Sequence, residues 1–247
     1  MSLRSQHLKV NYAYRQFADE IEAQIMQGTL KPGERLPGEV ELAQLFGVTR
    51  STVREGLRQL ESEGLVHRPT PRRLEVALPQ SDKLASRSSR AMVLMNVTFR
   101  ELWQVALETE PLAAELAARQ GTPEGLAELK NIHAALVAAK NDVAETTRLD
   151  KEFHTQVAEM SGNRVLCLVR EPLTLLLYQG FIQITPAVPQ AIERQIIAHG
   201  NIVDAIEARD PDRARDWAHR HIQDFWRGIQ IAGLQDEPSI SKENRMK

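Results

Sequence analysis

The sequence predicts a mainly α protein: an N-terminal winged helix-turn-helix domain followed by an all-α antiparallel helical bundle. Apolar residues recur at helical spacing along most of the chain, strand-like patterning is confined to one short Pro-containing stretch near residue 70, and Gly, Pro and Asp mark the joints.

The N-terminal domain is expected over residues 10–78. Residues 14–26 carry Phe17, Ala18, Ile21, Ile25 and Met26 at helical spacing, with Gly28 as a stop. Pro32-Gly33 and Pro37-Gly38 then make a turn-rich bridge in which only the residues around Leu36 are extended. A second helix over 39–46 has Val40, Leu42, Ala43 and Leu45. Gly47 supplies the positive φ of a tight turn, and Thr49 caps a third helix running to about Glu63. That helix turns Val53, Leu57 and Leu60 inward and presents Arg50, Ser51, Arg54 and Arg58 outward. The stretch "LVHRPTPRRLEVAL" follows as a small hairpin around a Pro-rich tip. Three helices and a hairpin in this order place the Thr49 end of the third helix toward phosphates and base edges.

Residues 79–96, rich in Ser and basic side chains, are expected to form a linker with a short helix. Residues 97–232 then read as helices over 99–119, 123–140, 143–161, 165–179, 188–208 and 211–231, an antiparallel bundle. Residues 233–247 are expected to be a disordered tail.

With 247 residues and 42% hydrophobic content, the chain can bury substantial cores. A formal net charge of −2 excludes wholesale coating of nucleic acid, so any DNA contact must come from a local cluster of Arg. The single cysteine, Cys167, excludes an intrachain disulfide framework. No apolar run reaches the roughly 18 residues of a spanning helix, and the N-terminus lacks an apolar signal core. The cytoplasm is the expected location, with no membrane partner.

Polar residues within the apolar stripes of the bundle point to a second site, because a bundle interior excludes them unless they are paired or liganded. Asp150 and His154 are four apart and share a face with Val157, Ala158 and Ser161. His199 lies in the row Ile192, Ile196, Ile202, Val203 and Ile206, and His221 in the row Ala214, Ala218 and Phe225. Three imidazoles and one carboxylate converging from three helices suit a divalent transition metal such as Zn, Ni or Mn.

The pieces "GTLKPGERLP" and "ELAQLFGVTRSTVREGLRQLESEGLV" resemble the N-terminal domain of GntR-family transcription regulators, over about residues 12–78. The resemblance implies operator contacts by Thr49, Arg50, Ser51, Thr52 and Arg54, with the wing from Pro69 to Arg73 near the minor groove. Val40 stands where many members carry an Arg, and the wing tip "TPRR" lacks the usual Gly, a departure for which Arg72 and Arg73 compensate in charge. Further on, "DKEFH", "HGNIVDAI" and "WAHRHI" are similar to pieces of the FadR-type effector domain of these regulators, called FCD. In its metal-binding members these positions are ligands, here Asp150, His154, His199 and His221. Such domains often carry an Arg about four residues before the Glu of a Leu-Glu pair, and here Gln104 precedes Leu107-Glu108. Gln104 and Tyr178 are therefore the effector-binding candidates, with Gln183 a further polar contact and the ligand a small carboxylate-bearing metabolite.

The favoured function is a ligand-responsive transcription regulator, acting as a homodimer on a palindromic double-stranded DNA operator. A metal-dependent enzyme fused to a DNA-binding domain, and a regulator whose metal is purely structural, are the alternatives. Against the enzyme stand the lack of a second carboxylate recognisable as a general base beside the ligands and the lack of a nucleophile pattern or phosphate-binding Gly loop.

Overall fold

The computed structural model describes residues 13–71, 73–77 and 81–239, with the side chains of 81–86 and 179 outside that description. Arg72, the domain start at 10–12, the domain end at 78, the linker start at 79–80 and the last part of the tail, 240–247, thus lie outside the described residues. The chain forms two compact units that divide after residue 83.

In the first unit, α1 (Ala13–Met26), α2 (Glu39–Leu45) and α3 (Arg50–Glu63) precede an antiparallel hairpin of β1 (Val66–Thr70) and β2 (Arg73–Val76). The hairpin pairs Val66 with Val76 and Thr70 with Arg73. The bridge after α1 adds itself to the free side of β2: Leu36 N donates to Leu74 O and Val76 N to Glu34 O, both at 2.9 Å. Phe17, Ile21, Leu36, Leu42, Val53, Leu57, Leu60 and Leu74 share one core. Gly47 has φ +63° at the turn into α3. Gly56 allows α1 and α3 to touch, since a Cβ there would lie 2.5 Å from Phe17 Cδ1 and 2.8 Å from Tyr14 O.

The second unit is a helical bundle of α5 (Phe99–Gln120), α6 (Pro123–Ala138), α7 (Val143–Met160), α8 (Arg164–Ile184), α9 (Ala191–Glu207) and α10 (Pro211–Ile231). N-caps fix the starts: Thr98, Thr122, Asp142, Asn163 and Asp210 each accept a backbone N–H of the first turn. Helix α5 is central, packing on α7, α8, α9 and α10.

Three expectations need correction. The stretch read as a linker is mostly α4 (Ser81–Leu94), whose last turns pack Met92 and Val93 on Leu102, Leu173 and Leu176. Its Ser-rich sequence hid this short apolar face. Residues 233–239 of the expected tail are docked rather than free: Ser239 N donates to Val97 O at 3.0 Å, and Arg100 Nε pairs with Asp236 at 2.9 Å. Polar composition gives no hint of a partner so distant in sequence. Finally, α8 is one 21-residue helix that contains an 18-residue window of mean hydropathy 1.4, apolar enough by length and composition to cross a membrane. It is long enough because it runs five residues past the expected end, and it packs here on α5 and α7 with the charged Arg170 in its buried face.

Candidate metal centre and nucleic-acid interface

At the start of α3, Thr49 Oγ1 accepts Thr52 N at 3.2 Å and shares hydroxyl hydrogen bonds with Ser51 at 2.8 Å and Thr52 at 2.9 Å. Thr49, Arg50, Ser51 and Arg54 are exposed, whereas Thr52 is buried and its hydroxyl serves the cap. Arg54 reaches Glu39 on α2 at 3.3 Å. The same Glu39 holds Arg68 of β1 at 3.1 Å, and Arg68 also pairs with Glu61 at 2.6 Å. Arg68 is thus a cation linked through Glu39 to Arg54 on the exposed face of α3, one that sequence reasoning missed because only the fold brings β1 beside α2. Arg73 is exposed and pairs with Glu75.

In the bundle, α7 carries Asp150 and His154 one turn apart, α9 supplies His199 and α10 supplies His221. His221 Nε2 stands 3.2 Å from both His154 Nε2 and His199 Nε2. Asp150 Oδ1 is 3.6 Å from His154 Nε2 and 3.5 Å from His199 Nε2. One donor atom of each residue lies within 4.8 Å of all the others. Donors bound at about 2.0–2.2 Å to one ion stand roughly 3–4 Å from their neighbours, so the set fits a transition metal in spacing as well as in chemistry. Three imidazole nitrogens aimed at each other cannot all satisfy one another by hydrogen bonding, which gives the same indication.

The electrostatics are consistent with this. Burial and the neighbouring imidazoles hold His199 well below its usual pKa, and burial with His154 holds His221 down at about 3, so both are neutral, the ligand form. Burial raises Asp150, whose Oδ1 accepts the Gln195 amide. For His154, burial is outweighed by Glu110 and Asp150, which raise its pKa. Phe153 stacks on His199 with ring centroids 3.8 Å apart, fixing that ring.

Two residues beside the cluster were not singled out from sequence. Glu110 of α5 accepts from His154 Nδ1 at 2.9 Å and from Arg170 Nε of α8 at 2.8 Å. Burial works against its charge, but Arg170 and His154 overcome this and hold it far below the usual carboxylate range. A second carboxylate therefore does stand beside the cluster, with both its oxygens engaged by His154 and Arg170.

A cavity open to solvent adjoins the cluster. Asp150, His154 and His221 line it on one side, with Arg170, Tyr178 and Gln195 among the other lining residues. Arg170 Nη2, the Tyr178 hydroxyl and Gln195 Oε1 are buried there without a hydrogen-bond partner among the described residues. Gln104 is exposed and does not line the cavity, and Gln183 is exposed too. The physical reason is register: the inward acid of α5 is Glu110, not the exposed Glu108, and the residue four before Glu110 is the buried Ala106.

A winged helix-turn-helix followed by a helical bundle whose mainly apolar cavity holds a few buried polar side chains defines a DNA-binding transcriptional regulator with an effector domain. Residues 13–76 match the bacterial regulatory proteins of the gntR family, and residues 101–224 match the FCD domain. Over 215 residues the chain is 32% identical to the HTH-type transcriptional repressor NanR of Cronobacter sakazakii, covering 83% of this chain and 80% of that one. It is 30% identical over 232 residues to the NanR repressor of Salmonella newport, covering 90% of this chain and 86% of that one. Among solved structures, a Streptococcus agalactiae GntR protein has the same fold, with a TM-score of 0.65 at 24% identity over 87% of this chain and 99% of that one. This chain belongs to the gntR family of bacterial regulators and carries the family's FCD effector domain.

Proposed function

We propose that Asp150, His154, His199 and His221 hold one divalent transition metal, Zn, Ni or Mn, and that the adjoining cavity takes a small carboxylate-bearing metabolite that changes operator affinity. The observation that carries this reading is the convergence of three imidazole Nε2 atoms and a carboxylate oxygen from α7, α9 and α10. When bound, the ion supplies positive charge for an anionic ligand. Arg170 Nη2, Tyr178 and Gln195 offer that ligand buried polar atoms with no other partner among the described residues. Because three of the four metal-binding side chains line the cavity, an ion with an open position is favoured over a closed structural site.

Thr49, Arg50, Ser51 and Arg54 read the operator from the exposed start of α3, with Thr52 holding the cap and Arg68, Arg72 and Arg73 contributing positive charge from the wing. One recognition helix spans too few base pairs to find a genomic site, so two copies bind a palindromic operator. The exposed apolar side chains Val165, Leu168 and Val169 of α8 form a patch suited to a second copy, since contiguous exposed apolar surface marks an interaction site. The chain acts in the bacterial cytoplasm, where its operator lies. The NanR relatives are named repressors, and repression relieved by the metabolite is the sense we assign here.

Fluorescence anisotropy on an operator fragment, with the metal-loaded protein and a panel of small carboxylates, tests this. One of the panel releases the operator from the metal-loaded wild type and fails to do so from His221→Ala. Release from both proteins at equal concentration contradicts the reading.

A further inference from the structure

The donor residues of the cluster are not equally supported. Asp150 is held by a neutral amide, and His199 Nδ1 is buried with no partner among the described residues. His154 alone is seen to have a fully charged partner behind it, since its Nδ1 faces Glu110 Oε2 at 2.9 Å. A carboxylate that already accepts from a guanidinium only accepts at its other oxygen, so the ring carries its hydrogen on Nδ1 and turns the Nε2 lone pair toward His221 and Asp150. Glu110 is itself held from the other side by Arg170 Nε at 2.8 Å, and Arg170 is 2% exposed. Three helices, α5, α7 and α8, each contribute one member of this chain of contacts.

We propose that Glu110 is a positioning residue of the metal centre: its carboxylate takes the Nδ1 hydrogen of His154, fixes the ring and strengthens Nε2 as a donor, while Arg170 keeps the carboxylate in place. A purely architectural Glu110–Arg170 pair would leave Glu110 Oε2 with no reason to meet a cluster residue. The inference rests on the metal reading above, and its test separates the two.

Full-length protein is stripped with chelator, and Zn2+ affinity is measured against a chromogenic competitor for wild type, Glu110→Gln and the double variant Glu110→Gln with Arg170→Met. The double variant removes both charges, so no buried guanidinium is stranded, and circular dichroism melts establish that each protein is folded. Both variants should bind Zn2+ about 10- to 100-fold more weakly, the range usual for such supporting carboxylates, and shift the visible bands of the Co2+-loaded protein. Folded variants with wild-type Zn2+ affinity and an unchanged Co2+ spectrum overturn the proposal. If wild type takes up neither ion, the metal reading itself fails. Independently of any variant, nitrogen–proton NMR of the Zn2+-loaded wild type should show His154 protonated at Nδ1, and protonation at Nε2 overturns the proposal.

Discussion

His199 and His221 meet through their Nε2 atoms at 3.2 Å, one from α9 and one from α10, while the His199 ring lies flat on Phe153 at a 4° interplanar angle. His199 is fully buried and His221 only partly so. The two proposed ligand positions therefore differ in what their loss exposes.

His199→Ala should remove metal binding and also destabilise the metal-free bundle by roughly 2–4 kcal/mol, the scale for truncating a packed ring. His221→Ala should remove metal binding at a clearly smaller cost to the metal-free protein. Urea denaturation of the chelator-treated variants checks this, and equal destabilisation by both would show that the burial difference does not govern stability.

On the DNA side, Arg50→Ala and Arg54→Ala should each cost about 1–3 kcal/mol of operator binding and relax sequence preference. Arg68→Ala and Arg73→Ala should weaken binding to all sequences alike and flatten its dependence on salt. Anisotropy titrations at several salt concentrations separate the two patterns. Full operator affinity in the Arg50 and Arg54 variants would show that α3 is not the recognition helix.

Tyr178→Phe removes one buried hydroxyl that has no partner among the described residues, from a side chain lining the cavity. Metal content should be unchanged, while the metabolite concentration needed to release operator rises by the equivalent of about 0.5–1.5 kcal/mol, one hydrogen bond. Elemental analysis together with operator release checks both halves. An unaltered release concentration would place the metabolite elsewhere.

The metal-free bundle should weaken in acid. His199 and His221 are held below the ordinary imidazole value of 6.5, His221 at about 3, so the unfolded chain takes up protons there before the folded one does. Their contribution is present above pH 6.5 and is lost as the pH falls toward 3. Glu110, depressed from 4.5, acts in the same sense at lower pH. His154, raised above 6.5, acts in a different window: its contribution is constant below pH 6.5 and is lost as pH rises through its folded value. Asp150, raised above 3.8, opposes the two depressed rings within their window, and the two rings together outweigh it. Urea midpoints of chelator-treated protein should decline from pH 6.5 downward, and a steady rise over that range would contradict this balance.

Much of this was legible in the sequence because it is local. Helix spacing, Gly47, the Thr49 cap and the inward positions of Asp150, His154, His199 and His221 each follow from a few neighbouring residues. What was hidden is non-local. Glu110 does continue the buried row of Phe99, Leu102 and Ala106 along α5, a pattern that could have marked it as an inward acid. The Leu107-Glu108 pair drew attention to the wrong register instead. Arg170 is a charge within an apolar helix whose carboxylate comes from α5, 60 positions away, so no local pattern marks it. The docking of Asp236 on Arg100 joins residues 136 positions apart, beyond the reach of any spacing rule.

The most direct test of the central claim is elemental analysis of protein purified without chelator and then equilibrated with Zn2+, Ni2+ or Mn2+, wild type beside the Ala variants of Asp150, His154, His199 and His221. The account predicts one firmly held divalent ion per wild-type chain and a sharp loss in every variant. A wild-type chain that retains none of the three ions, or metal undiminished in all four variants, would contradict it.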